Sequence, residues 1–222
     1  MNDFDSDIPE NDWDERSELA WSEFDWEHYL REQDGVILRY LEIYDSLGQC
    51  ADRIDAAARK MGWEPFDRDP IEEPSGDGEP EGLAEDGEVY TLHKNPVYIA
   101  TRAICLSLKK AWEAVAADPG LISPALAVRF LASLHRGEEI SVQAIHALDF
   151  GDYAMAVSLL KRALSSVNES LSLLSPDSAE HSKALVSFRE IALPRLFDLR
   201  EIWLRVIEEC RGEINRPIDE ES

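Results

Sequence analysis

Basic residues are scarce in this sequence. Only 22 Lys and Arg stand against 46 Asp and Glu, a formal net charge of −24 at pH 7. Nucleic acids and anionic membranes are held by clustered cations, so this balance argues against both as partners. Cysteine is sparse as well. Cys50, Cys105 and Cys210 are far apart and odd in number, and no Cys-x-x-Cys occurs. That pattern fits reduced thiols in a cytoplasm rather than a disulfide framework. Long apolar runs are missing too. Charges such as Arg102 and Arg129 interrupt every stretch before it reaches the roughly 18–20 apolar residues of a membrane span. The first residues carry neither the basic region nor the apolar core of a secretion signal, so a cytoplasmic location is expected.

Catalytic and cofactor motifs are equally thin. There is no Glu-x-x-His of the kind that di-iron bundles place on facing helices. Neither His-Glu-x-x-His nor a phosphate-cradling Gly-x-x-x-x-Gly-Lys loop is present, and Gly-x-Gly-x-x-Gly and Gly-x-Ser-x-Gly are absent. No cofactor is expected. His135 and Glu139 stand one helical turn apart and are the best metal pair. His146, eleven residues further on, would lie about 16 Å from His135, too far to share an ion. No metal is expected either.

The acidity is concentrated. Residues 1–34 hold 13 acids and 2 bases, and residues 63–95 hold 11 and 2. Residues 35–62 are balanced at 4 and 4, and residues 96–210 carry 14 and 12. A nearly neutral body with acidic attachments follows. The domain map is therefore an acidic, aromatic-containing segment over 1–24, a long amphipathic helix over 25–62 and an acidic linker over 63–95. A four-helix bundle over 96–210 and a polar tail over 211–222 complete it. The linker is rich in Pro and Gly, as in Glu73-Pro-Ser-Gly-Asp-Gly-Glu-Pro80, and is expected to be disordered.

Helical periodicity dominates the rest. Trp26, Leu30, Gln33, Ile37, Tyr40, Tyr44, Leu47, Ala51, Ile54, Ala58 and Met61 recur every third or fourth residue. The 3.5-residue mean spacing predicts a coiled-coil-like helix about 54 Å long. Gly35 and Gly48 would weaken it, and Gly62 would stop it. Asn95-Pro96 and Ser123-Pro124 open two further helices with a cap and a proline at the first helical position. The first carries Val97, Ile104 and Leu108, and the second carries Phe130, Leu134, Ile145 and Leu148 to about Asp149. Tyr153, Val157, Leu160, Leu164, Val167, Leu171 and Leu174 form the cleanest stripe. Ser175-Pro176 is read as the start of the last helix, with a kink or break near Leu193 because Pro194 removes a backbone donor. Short connections make neighbouring helices antiparallel. The predicted fold is all-α, an up-and-down antiparallel bundle of about five helices.

Three local patterns bear on function. Trp13, Leu19, Trp21 and Phe24 stand among Asp and Glu, either as a segment that folds into a basic, apolar groove of a partner or as one that docks on its own bundle. Arg129-Phe-Leu-Ala-Ser-Leu-His135 resembles the Arg-x4–6-His motif of the HEPN ribonucleases, with Phe130 where that family usually has a polar residue. The resemblance implies an RNA-cleaving Arg129 and His135. Gly151, Tyr153, Ala156, Leu160 and Ala163 resemble the second helix of a tetratricopeptide repeat, without a matching first helix or a second copy at a period near 34. The preferred reading is a non-enzymatic interaction module, that is a scaffold, adaptor or assembly factor. Its expected partner is a protein, with a basic surface. An apolar stripe on the first helix longer than its neighbours could cover would pair with a second copy as a homodimer. The alternative is an enzyme, most sharply a HEPN-like ribonuclease.

Overall fold

The computed structural model describes residues 21–63, 92–175 and 182–216. Among these residues the chain is helical and contains no strand. The described residues up to Val36 and those from Ile37 onward form two compact units. The helices are α1 (Glu23–Ser46), α2 (Arg53–Lys60), α3 (Pro96–Ala116), α4 (Pro124–Asp149), α5 (Tyr153–Leu173) and α6 (Lys183–Ile214), with a short 3-10 turn at Leu92–Lys94 before α3.

The starts of α3 and α4 follow the capping chemistry read from the sequence. Asn95 Oδ1 accepts from the backbone N–H of Val97 and Tyr98, and Ser123 Oγ accepts from that of Leu126. Each satisfies donors that the helix itself leaves open. Asp152 does the same for α5 through Met155, after Gly151 has reversed the chain at φ +72°.

Four boundaries differ from the sequence reading. The helix expected over 25–62 is two helices. Gly48 sits at φ +61°, a left-handed conformation that glycine adopts without strain, and the buried Arg53 donates through Nη1 to the Gly48 carbonyl at 3.0 Å. In α2 the buried positions are therefore Arg53 and Ala57, not Ile54 and Ala58. The last helix starts at Ser182, whose Oγ accepts from Leu185 N, not at Ser175-Pro176. It runs unbroken through Pro194 and ends at Ile214, four residues beyond the expected limit of 210. The carbonyl that Pro194 leaves without its helical donor belongs to Glu190, an exposed residue, so water can serve it. Leu196, Leu199 and Trp203, all fully buried, hold the helix beyond the proline. The 3-10 turn and Trp63, whose ring stacks on Tyr40 at 5.5 Å, lie within the stretch read as linker. The rest of that stretch, residues 64–91, lies outside the described residues.

In the larger unit α4 packs against α3 and α5, and α6 packs against the same two helices. Trp112, Phe130 and Phe188 meet at its centre with ring centroids 4.5–5.4 Å apart. Both buried indoles find an acceptor: Trp112 Nε1 donates to the Ala127 carbonyl and Trp203 Nε1 to Thr101 Oγ1, each at 3.1 Å. The α4–α5 contact is made by small residues. A Cβ added at Gly137 would stand 3.4 Å from Ser166 Cβ and 3.6 Å from the Ala163 carbonyl, and the Ser133 and Ser170 hydroxyls are 2.7 Å apart. Tyr40 and Tyr44, the middle of the stripe expected to seek a second copy, are fully buried.

Candidate functional site

The start of α1 is built as a reciprocal cap. Ser22 N–H donates to Asp25 Oδ2 at 2.9 Å, and Asp25 N–H donates to Ser22 Oγ at 3.3 Å. This is the capping-box geometry, with Asp in place of the usual Glu or Gln. The Ser22 side-chain and backbone hydrogen bonds hold the Asp25 carboxyl below its ordinary range. Trp21, Trp26 and Tyr29 pack ring against ring at centroid distances of 4.7, 5.3 and 6.1 Å. Tyr29 is buried, yet Trp21 and Trp26 remain 41% and 43% exposed and Phe24 is 78% exposed. Glu23, Asp25, Glu27 and Glu32 interleave with these rings. Of the four residues assigned to partner binding, Trp21 and Phe24 thus lie on one exposed, acid-flanked turn. Trp13 and Leu19 lie outside the described residues.

Arg129 and His135 are both exposed on α4. Six residues of α-helix rotate by about 600°, so the two side chains leave the axis about 120° apart. His135 Nδ1 approaches Glu138 Oε2 at 3.9 Å. Glu138 was not singled out by the sequence, although its side chain is only 4% exposed. It joins α4 to α3 by an ion pair with Arg102 at 2.5 Å and another with Lys109. The legible trace was a charge at helical spacing from Phe130, Leu134, Ser141 and Ile145, all of them buried. Beside it the Cys105 thiol is driven well above its ordinary range by burial and by the Glu138 charge, with Lys109 and Arg102 opposing. That thiol is protonated and inert at neutral pH. His146 and Glu139 are exposed. Among the described residues no three His, Cys, Asp or Glu side chains gather as a metal site.

A second charged cluster joins α1, α2 and α6 within the larger unit. Asp198 accepts from the Tyr44 hydroxyl and from Arg53, whose Nε is 2.9 Å away. The Arg53 guanidinium also lies over the Tyr44 ring at 4.2 Å. Burial, then the Asp198 hydrogen bond, raises the Tyr44 phenol well above its ordinary range, so it acts as a donor only. Arg195 reaches Asp45 at 2.7 Å and Arg205 reaches Asp55 at 2.5 Å. Between α2 and α6 an open groove of about 310 Å³ is lined by Ile54, Asp55, Phe197, Arg200, Leu204 and Arg205, among others. Its carboxylates and guanidinia are largely paired with one another, which suits the groove to holding helices together better than to acid–base chemistry.

No family model, curated protein or solved structure matches this chain. Function therefore rests on geometry. No helix among the described residues is long and apolar enough to cross a membrane.

Proposed function

We propose that the chain is a non-enzymatic, cytoplasmic protein-interaction module, a scaffold, adaptor or assembly factor, whose recognition element is the acidic, aromatic front of α1. One observation carries the reading: Trp21, Phe24 and Trp26 are exposed together on a helix start that is already capped and ordered by its own residues. Large rings left in water are the residues that anchor protein interfaces. The interleaved carboxylates direct them toward a basic partner and speed encounter. Trp13 and Leu19, in the same acidic stretch, are assigned to the same surface. The helices α3 to α6 are read as an up-and-down antiparallel bundle. The cyclic packing order of the four helices and their short connections support that arrangement.

The test is a comparison of proteins retained from native lysate by the full chain, by Trp21→Ala and by Phe24→Ala. The expected outcome is a shared set of basic proteins lost from both variants, with helix content unchanged by circular dichroism. Retention of the same set by both variants would place recognition elsewhere.

A further inference from the structure

One face of α6 carries a seam that its own chain covers only in part. Val186, Glu190, Leu193, Phe197, Arg200 and Leu204 follow one another at intervals of four and three residues, the spacing of a coiled-coil contact line. The line runs about 27 Å from end to end. The seam lies outside the core register of the helix, which runs through Leu185, Phe188, Ala192, Leu196, Leu199 and Trp203. Val186, Phe197 and Leu204 are 44%, 52% and 43% exposed, Glu190 is exposed, and Leu193 and Arg200 are half-buried.

The seam is symmetric about its midpoint. Reversing it around position 195 sets Val186 opposite Leu204, Leu193 opposite Phe197 and Glu190 opposite Arg200. Every residue of the line then meets a complement, and each pairing occurs twice, as a two-fold interface requires. Parallel pairing would set Glu190 against Glu190 and Arg200 against Arg200, which like-charge repulsion disfavours. The two charges are also uncommitted. Among the described residues neither Glu190 nor Arg200 has an ion-pair partner, and Arg200 Nε is buried without a hydrogen bond. The Arg200 guanidinium rests 6.0 Å above the Phe197 ring, held on the seam. Phe197, Arg200 and Leu204 also line the open groove between α2 and α6.

We infer that α6 is the interface of an antiparallel homodimer in which Glu190 of each chain pairs with Arg200 of the other. The occupant is a second copy of this chain because only the reversed seam matches both the apolar positions and the two charges. A single pair of helices covers less than the roughly 1,200–2,000 Å² buried in a stable complex, so the dimer is a weak one that exchanges with monomer. The interface is independent of the front of α1 assigned above to partner recognition.

A charge swap tests this. Sedimentation equilibrium of the full chain, from micromolar to near-millimolar concentration, is expected to show monomer and dimer. Glu190→Arg alone and Arg200→Glu alone should each weaken dimerisation about tenfold, since each removes two pairs and adds two repulsions. Combining both substitutions in one chain should restore the dissociation constant to within about threefold of the original. Glu190 is exposed and Arg200 half-buried, and circular dichroism checks that the variants stay folded. A chain that is monomeric throughout the range would overturn the inference. So would a dimer indifferent to the single reversals, a combined variant that stays weak, or a dimer abolished by Phe24→Glu but not by Glu190→Arg.

Discussion

Glu138 is a buried carboxylate in the larger unit. A carboxylate withdrawn from water is tolerated only when its charge is met, and here Arg102 and Lys109 meet it from a neighbouring helix. Removing the carboxylate strands two cations beside the buried Cys105. Glu138→Ala is therefore expected to cost about 2–4 kcal/mol, below the value for a fully buried triad because Arg102 keeps partial access to water. Urea unfolding checks the size, and Glu138→Met separates charge from volume: a well-packed apolar replacement should recover part of the loss only if Lys109 can turn outward. Arg129 and His135 yield a different expectation at the same scale. An acid–base pair must reach one phosphodiester together, and Arg129 and His135 leave the axis of α4 about 120° apart. Single-stranded RNA is expected to survive incubation with the full chain as well as it survives with His135→Ala. Cleavage that disappears in His135→Ala would mean that the two residues act together after all.

The helices show where residue patterning informs and where it stops. Caps are short-range chemistry, so Asn95-Pro96 and Ser123-Pro124 could be read from two residues each. The all-α class was legible from periodicity alone, because stripes of 3.6 residues recur along the chain and alternating runs do not. The turn between α1 and α2 was not legible, because the apolar periodicity passes through it without a phase change. Gly48 looked like a weak point in one helix, whereas it takes the left-handed conformation between two helices. The energetic reason is tertiary: Arg53 is worth more paired with Asp198 and the Gly48 carbonyl than exposed on a continued helix. Gly48→Ala should therefore destabilise the fold by about 1–2 kcal/mol, the cost of a left-handed Cβ. A helix that simply continued would gain up to about 1 kcal/mol from the same change. Thermal melting distinguishes the two by sign. Pro194 is the opposite case. Its local cost of about 3 kcal/mol is smaller than the burial of three neighbouring large side chains at about 1.5–3 kcal/mol each, so the long helix persists where the sequence suggested a break. The candidate recognition surface was legible in part, since rings among acids stand out in any linear reading. Glu138 and the α6 seam were not. One needed the neighbouring helix to explain a buried charge, and the other needed to be known as partly exposed.

At the scale of the molecule, acidity and packing are separated along the chain. The neutral stretch holds the apolar core, and the acidic front carries exposed rings, so the properties that keep the protein folded and those that would bring it to a partner can change independently. The small-residue contact between α4 and α5 has a kinetic consequence. Those helices are joined by a tight turn at Phe150–Asp152, and Gly137, Ser166 and Ala163 let their backbones approach closely. Contacts between them span little sequence and cost little loop entropy to close, while α6 must return across a longer stretch to meet α3. The α4–α5 hairpin is thus the expected nucleus of folding, formed in the transition state before α6 docks. Val167→Ala, in the hairpin, should slow refolding in proportion to the stability it removes. Val206→Ala, on the late-docking helix, should leave refolding nearly untouched and accelerate unfolding. Stopped-flow chevrons of the two variants would reveal which half of the molecule assembles first, and hence which half a nascent chain must complete before the rest has anything to fold against.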